Sequence, residues 1–118
     1  MLEHGYLDRV ERRHGLMKAR RQVRDRIGAG VIYRDVEYHV GLVVELDGRL
    51  FHDTTTQRDA DLDRDLVTAA AGKDSVRLSY GQVFDRSCWT AGHISAMLES
   101  RGWGDRATAC SVSCGMPR

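Results

Sequence analysis

Three carboxylates, Asp35, Glu45 and Asp47, and one imidazole, His52, are the residues of this 118-residue chain whose types and spacing could do chemistry. Glu45 and Asp47 stand two apart in Leu42-Val43-Val44-Glu45-Leu46-Asp47, an apolar run that reads as a buried strand. On a strand, residues two apart project to one face. Leu42, Val44 and Leu46 take the other. A buried charge must be paired or bind a metal. Asp35 lies in a second strand, Val31 to Tyr38, where an acid goes against strand preference. It could pair with Arg34 or another arginine. It could also face Glu45 across a hairpin and offer oxygen ligands from a neighbouring strand. Two or three such carboxylates can hold Mg²⁺ or Mn²⁺. That ion polarises a phosphodiester and lowers the pKa of a bound water, while a nearby histidine moves a proton.

The elements that must position these groups follow from spacing. Leu2, Tyr6 and Val10 predict a helix from Leu2 to His14, stopped by Gly15. Glu3 in its first turn either answers the helix dipole or aims into a site. Gln22 to Ile27 and Val31 to Tyr38 predict two strands around a turn at Gly28-Ala29-Gly30. The turn His39-Val40-Gly41 leads into the Leu42 strand, so the three form an antiparallel meander. Thr54, Thr55 and Thr56 offer capping hydroxyls for a helix from Gln57 to Ala71, with Leu62, Leu66 and Ala69 or Ala70 as its core stripe. One or two of its acids near the N-terminus could line the site. Ser75 to Ser79 is a short strand reached by a crossover of βαβ length, parallel to the Leu42 strand. Tyr80 to Arg86 is a turn or short helix. Thr90 to Arg101 is a last helix with Ile94, Met97 and Leu98 inward. The fold class is α/β, with a mixed sheet of about four strands flanked by helices.

The length suits one domain with a proper core. We divide it as residues 1–106 for the domain and 107–118 for a cysteine-containing tail. No apolar run approaches a membrane span and no signal peptide is visible, so the expectation is a cytoplasmic protein with no membrane partner. Net charge is only +1, but it is unevenly spread. Residues 1–26 carry eight Lys or Arg against four acids, and residues 27–75 carry ten acids against five bases. A basic front and an acidic middle suit a protein that grips a polyanion and holds a divalent cation. A solvated surface with scattered ion pairs is the simpler account of the charge alone. Arg12, Arg13, Lys18, Arg20, Arg21 and Arg49 are the candidate DNA contacts.

Three cysteines argue against a closed disulfide framework. Cys88, Cys110 and Cys114 supply three soft ligands, with a fourth from His93 or another histidine. Structural zinc there would pin the tail to the domain. The alternatives are three free thiols, or an oxidised pair with one left over.

The order of pieces resembles a domain-of-unknown-function family of bacterial proteins related to the very short patch repair (Vsr) endonucleases. The matching segments are Leu2-Glu3, His14-Gly15-Leu16, Arg21-Gln22-Val23, Tyr33-Arg34-Asp35-Val36 and Val43 to Arg49 with His52. Asp61, Arg64-Asp65, Val76-Arg77-Leu78 and Arg101-Gly102-Trp103 complete the series. The resemblance implies a restriction-endonuclease-like α/β fold and a Mg²⁺-dependent endonuclease or nickase acting on DNA, in repair or defence. By it Asp35 is the metal ligand, with Glu45 and Asp47 beside it. His52 matches a catalytic histidine, and Glu3 a first-helix carboxylate reaching the site. Asp47 departs from the pattern, because the repair enzymes carry histidine there and many restriction enzymes lysine. The proton acceptor is then His52, Glu3 or a water held by the metal. The structural zinc of the repair enzymes does not map onto these cysteines. The other expectation is a catalytically inactive nuclease-like module that binds DNA or a protein, in some relatives the C-terminal part of an antitoxin-like chain. A third is a generic α/β domain whose acids merely pair with arginines.

Overall fold

The computed structural model describes residues 1–48 and 54–117. His52 and Arg49 therefore lie outside the described residues. The chain forms a four-stranded mixed sheet in the order β1-β2-β3-β4. These are β1 (Arg20–Ile27), β2 (Gly30–Tyr38), β3 (Leu42–Asp47) and β4 (Asp74–Ser79). The first three run antiparallel, and β3 pairs with β4 in parallel. The parallel pair is reached through α2 (Thr55–Ala70), as the crossover length requires. Both meander turns and the crossover are as expected from the sequence. β1 and β4 are the sheet margins.

The first helix begins as α1 (Leu2–Gly5) and runs on through a π-helical stretch, Tyr6–Arg12. Its wide winding shows in five-residue bonds, Arg13 N to Asp8 O at 3.3 Å and Leu16 N to Glu11 O at 3.0 Å. Such stretches are rare. Here the widening lets the consecutive residues Val10 and Glu11 both reach the interior. Helical winding stops at Arg12, slightly short of the expected end, and a turn leads to Gly15.

Tyr6, Val10, Val36, Tyr38, Leu42, Val44, Leu78, Val83, Ile94 and Leu98 make one core between a sheet face and the helices α3 (Tyr80–Phe84) and α4 (Ser87–Ser100). Gly5 lets α1 lie against the Phe84 ring, because a Cβ there would overlap it. Ala107 also enters this core, and Trp103 and Met116 pack against it. Ala107 N donates to Ser95 Oγ at 2.8 Å, and Thr108 N to His14 O at 2.8 Å. The tail is thereby stitched to α4 and to the end of the first helix. A buried polar chain anchors that helix to the sheet. Tyr6 and Tyr38 hydroxyls are 2.8 Å apart, and Tyr38 donates to Glu11 Oε1 at 3.0 Å.

α2 corrects an expectation. Leu62 and Leu66 are 58% and 70% exposed, so they are not its core stripe. The helix turns Asp61, Arg64, Asp65 and Thr68 toward the sheet. Thr54 opens it with a reciprocal cap, accepting from Gln57 N while its own amide donates to Gln57 Oε1. Arg101 fastens the far end of the sheet. It donates to Val40 O at 2.8 Å, to Gly72 O at 2.6 Å and to Asp74 at 2.9 Å.

Candidate functional site

The ladder between β2 and β3 pairs Val36 with Val44, Glu37 with Val43 and Tyr38 with Leu42, and then opens. Beyond that point two carboxylates take the place of backbone acceptors. Leu46 N donates to Asp35 Oδ2 at 2.8 Å, and Asp35 N donates to Glu45 Oε2 at 3.4 Å. A strand pair that parts here exposes a polar cleft of about 330 Å³. Tyr33, Asp35, Glu45, Leu46, Asp47, Gly48, Asp61, Arg64 and Arg77 line it. Asp35, Glu45 and Asp47 all border this cleft, and so does one α2 acid, Asp61. A slightly larger cavity of about 360 Å³ lies between α4 and the tail. It is the more apolar of the two, and none of the expected site residues borders it.

Glu45 is 4% exposed and held by two guanidinium groups. Arg34 Nη1 stands 3.4 Å and Arg64 Nη2 3.6 Å from its Oε1. Burial raises its carboxyl above the usual range, Arg64 opposes that, and Asp35 adds to it. Arg34 is itself buried and also reaches Asp25 at 3.3 Å. Arg64 Nη2 donates to Tyr33 O at 3.2 Å. Its Nε is buried with no hydrogen-bond partner among the described residues. Arg77 bridges Asp65 at 3.2 Å and Asp61 at 3.5 Å.

Glu3 reaches the site through an intermediary. Gln22 Nε2 donates to Glu3 Oε2 at 3.0 Å and lies 3.4 Å from Asp35 Oδ1. Arg21 pairs with Glu3 at 3.2 Å. Gln22 adopts a φ of +50°, a left-handed conformation that side chains rarely take within a strand. The β1–β2 register runs unchanged from Arg21↔Val36 to Val23↔Arg34, but Gln22, opposite Asp35, is not itself a ladder pair. Sequence reasoning gave no role to Gln22, and nothing local marks it. Arg64 and Arg77 were likewise missed as cleft residues. Their signal is the placement of arginines among the acids of α2 and β4.

Of the candidate DNA contacts, Arg12, Lys18 and Arg20 are exposed. Arg13 pairs with Asp8 at 3.2 Å, and Arg21 is engaged by Glu3.

The cysteines form a second constellation. Among the described residues, His14, Cys88, Cys110 and Cys114 are the group of potential ligands whose donor atoms all gather within 4.8 Å. These four could hold a metal ion. The cleft carboxylates share one cavity without gathering that closely. The fourth member is His14 and not His93, which is exposed and set edge-on against Trp89 at 4.4 Å. All three cysteines are free thiols.

No helix of the described residues is long and apolar enough to cross a membrane. Comparison with family models, curated proteins and solved structures finds no match to this chain.

Proposed function

We propose that the chain is a restriction-endonuclease-like, metal-dependent DNA endonuclease or nickase, with its centre in the β2–β3 cleft. One observation carries the reading. Asp35 and Glu45 replace ladder acceptors where two strands part, so both carboxylates are fixed by backbone amides at the mouth of a polar cleft shared with Asp47. A purely structural ion pair does not need the sheet to open.

The donor set is hard oxygen, which suits Mg²⁺ or Mn²⁺. Asp35, Glu45 and Asp47 would hold the ion, whose contribution is to polarise the phosphodiester and lower the pKa of water. Arg64 lines the cleft, and its guanidinium would take a phosphate oxygen. Gln22 orients Asp35 from the side and ties it to Glu3. His52 is the proposed proton-moving group, on the resemblance alone. The sulfur-rich cluster is the wrong chemistry for magnesium and takes no part in this reaction; zinc is the ion it matches.

The test is plasmid nicking by the purified chain with Mg²⁺, with Mn²⁺ and with excess EDTA. Metal-dependent conversion of supercoiled to open-circular DNA is expected. Equal rates with and without EDTA, or no conversion with either ion, overturn the reading.

A second reading is a nuclease-like module that binds DNA without cutting it. The clamping of Glu45 by Arg34 and Arg64 favours it, because a carboxylate so neutralised attracts a cation less. Salt-dependent DNA binding with no cleavage would select it.

A further inference from the structure

We propose that His14, Cys88, Cys110 and Cys114 bind one structural Zn²⁺ that fastens the C-terminal tail to the end of the first helix. The four come from three separate places. His14 follows the π-helical stretch, Cys88 lies in the first turn of α4, and Cys110 and Cys114 flank a turn in the tail. Cys114 N bonds to Ser111 O at 3.1 Å, which folds the two tail thiols toward each other.

The imidazole is prepared for the role. His14 is fully buried. Its Nδ1 lies 3.0 Å from Val10 O, a carbonyl that can only accept, so Nδ1 carries the proton. Nε2 is left with a lone pair, and it points at Cys114 Sγ, 3.6 Å away. A ring nitrogen bonded to a backbone carbonyl while the other faces sulfur is the usual outer-shell arrangement of a metal-bound histidine. Without an ion, a fully buried imidazole nitrogen has only a weak thiol for company.

The spacing also fits. A tetrahedron with Zn–S bonds of about 2.3 Å has edges of about 3.8 Å. Cys88 and Cys110 sulfurs are 3.5 Å apart, Cys114 lies 3.6 Å from the imidazole, and all four donors fall within 4.8 Å. Three thiolates and a neutral imidazole form a closed structural set with no open coordination position.

The site closes a chain loop from His14 to Cys114 and stabilises contacts that the tail already makes at Ala107 and Thr108. It is separate from the carboxylate cleft, so this inference and the nuclease reading stand or fall independently.

The test uses the full chain purified in zinc-supplemented medium. Elemental analysis is expected to give one zinc per chain. Replacement by Co²⁺ is expected to give the visible absorption and sulfur-to-metal charge transfer of a tetrahedral thiolate site. Cys110→Ser and Cys114→Ser, both outside the core, are each expected to weaken Zn²⁺ binding by more than about 100-fold, above the loss typical of an outer-shell partner. Protein without zinc whose Co²⁺ titration gives no thiolate bands overturns the proposal. So does a Cys88–Cys110 disulfide found by mass spectrometry in protein purified under reducing conditions.

Discussion

Asp35 and Glu45 each accept from a backbone amide of the other's strand, at the point where the β2–β3 ladder ends. This relationship separates charge from support. Asp35→Asn keeps an oxygen for Leu46 N but loses the charge. Its metal-dependent nicking is expected to fall by about 100-fold or more, beyond what an outer partner contributes, with an unchanged melting curve. Asp35→Ala loses both, and leaving the Leu46 amide unsatisfied adds a stability cost of about 1–3 kcal/mol. Nicking by the Asn variant at the wild-type rate removes Asp35 from the metal site.

Gln22 holds a strained backbone in order to place its amide between Glu3 and Asp35. Gln22→Gly relieves that strain, of order 1 kcal/mol, and deletes the amide. Cleavage is expected to drop about 10- to 100-fold while the thermal midpoint holds or rises. A glycine variant that is less stable and fully active would show that Gln22 is only a packing residue.

Glu11 offers a test in pH. Burial raises its carboxyl, with the Tyr38 hydroxyl and the Ala19 amide pulling the other way. A folded-state pKa above the unfolded one means stability that is fully present below the ordinary carboxylate value, about pH 4, and lost as pH rises through the raised value. Glu11→Gln imitates the protonated form at every pH. The wild-type midpoint is therefore expected to gain on the Gln midpoint as pH falls from 7 toward about 4. A gap between the two that stays constant over this range rules the linkage out.

α2 shows where sequence patterning misleads. Leu62 and Leu66 make a regular apolar stripe, yet Asp61, Arg64 and Asp65 take the sheet side, where they pair with Arg77 and Glu45, and a helix has only one such side. Leu66→Gln is expected to change stability by less than about 0.5 kcal/mol, against about 2–5 kcal/mol for Leu98→Ala in the core. Urea titration of both variants decides it; comparable losses would put Leu66 inside.

The rest of the fold was more open to reading. β-Branched runs marked β2 and β3, and the glycines at 28, 41, 72 and 102 all take the positive φ that their stopping positions demanded. That Asp35, Glu45 and Asp47 border one cleft was legible because period-two spacing and a short hairpin fix which acids share a side. Gln22 was not, since its role depends on a backbone twist with no residue signature. His14 was hidden for another reason. It lies 100 residues from Cys114, and only tertiary packing could choose it over His93, which is nearer to Cys88. The π-helical winding also leaves no trace in composition.

Among the described residues β1 pairs on one side only, at the margin of the sheet, with Arg20, Arg21, Arg24 and Arg26 along it. An open margin is a template for a second chain, and a row of like charges repels that chain. By that physics these arginines would discourage edge-to-edge pairing of copies of the protein, whatever else they touch. Stripping all four to alanine would leave Asp25 as the one charge of an edge prone to self-pairing and precipitation, so any effect on DNA binding would be confounded with loss of soluble protein. Replacement by glutamate keeps the mutual repulsion along the edge while rejecting a polyanion, so charge reversal, which moves the net charge from +1 to −7, separates loss of binding from edge pairing.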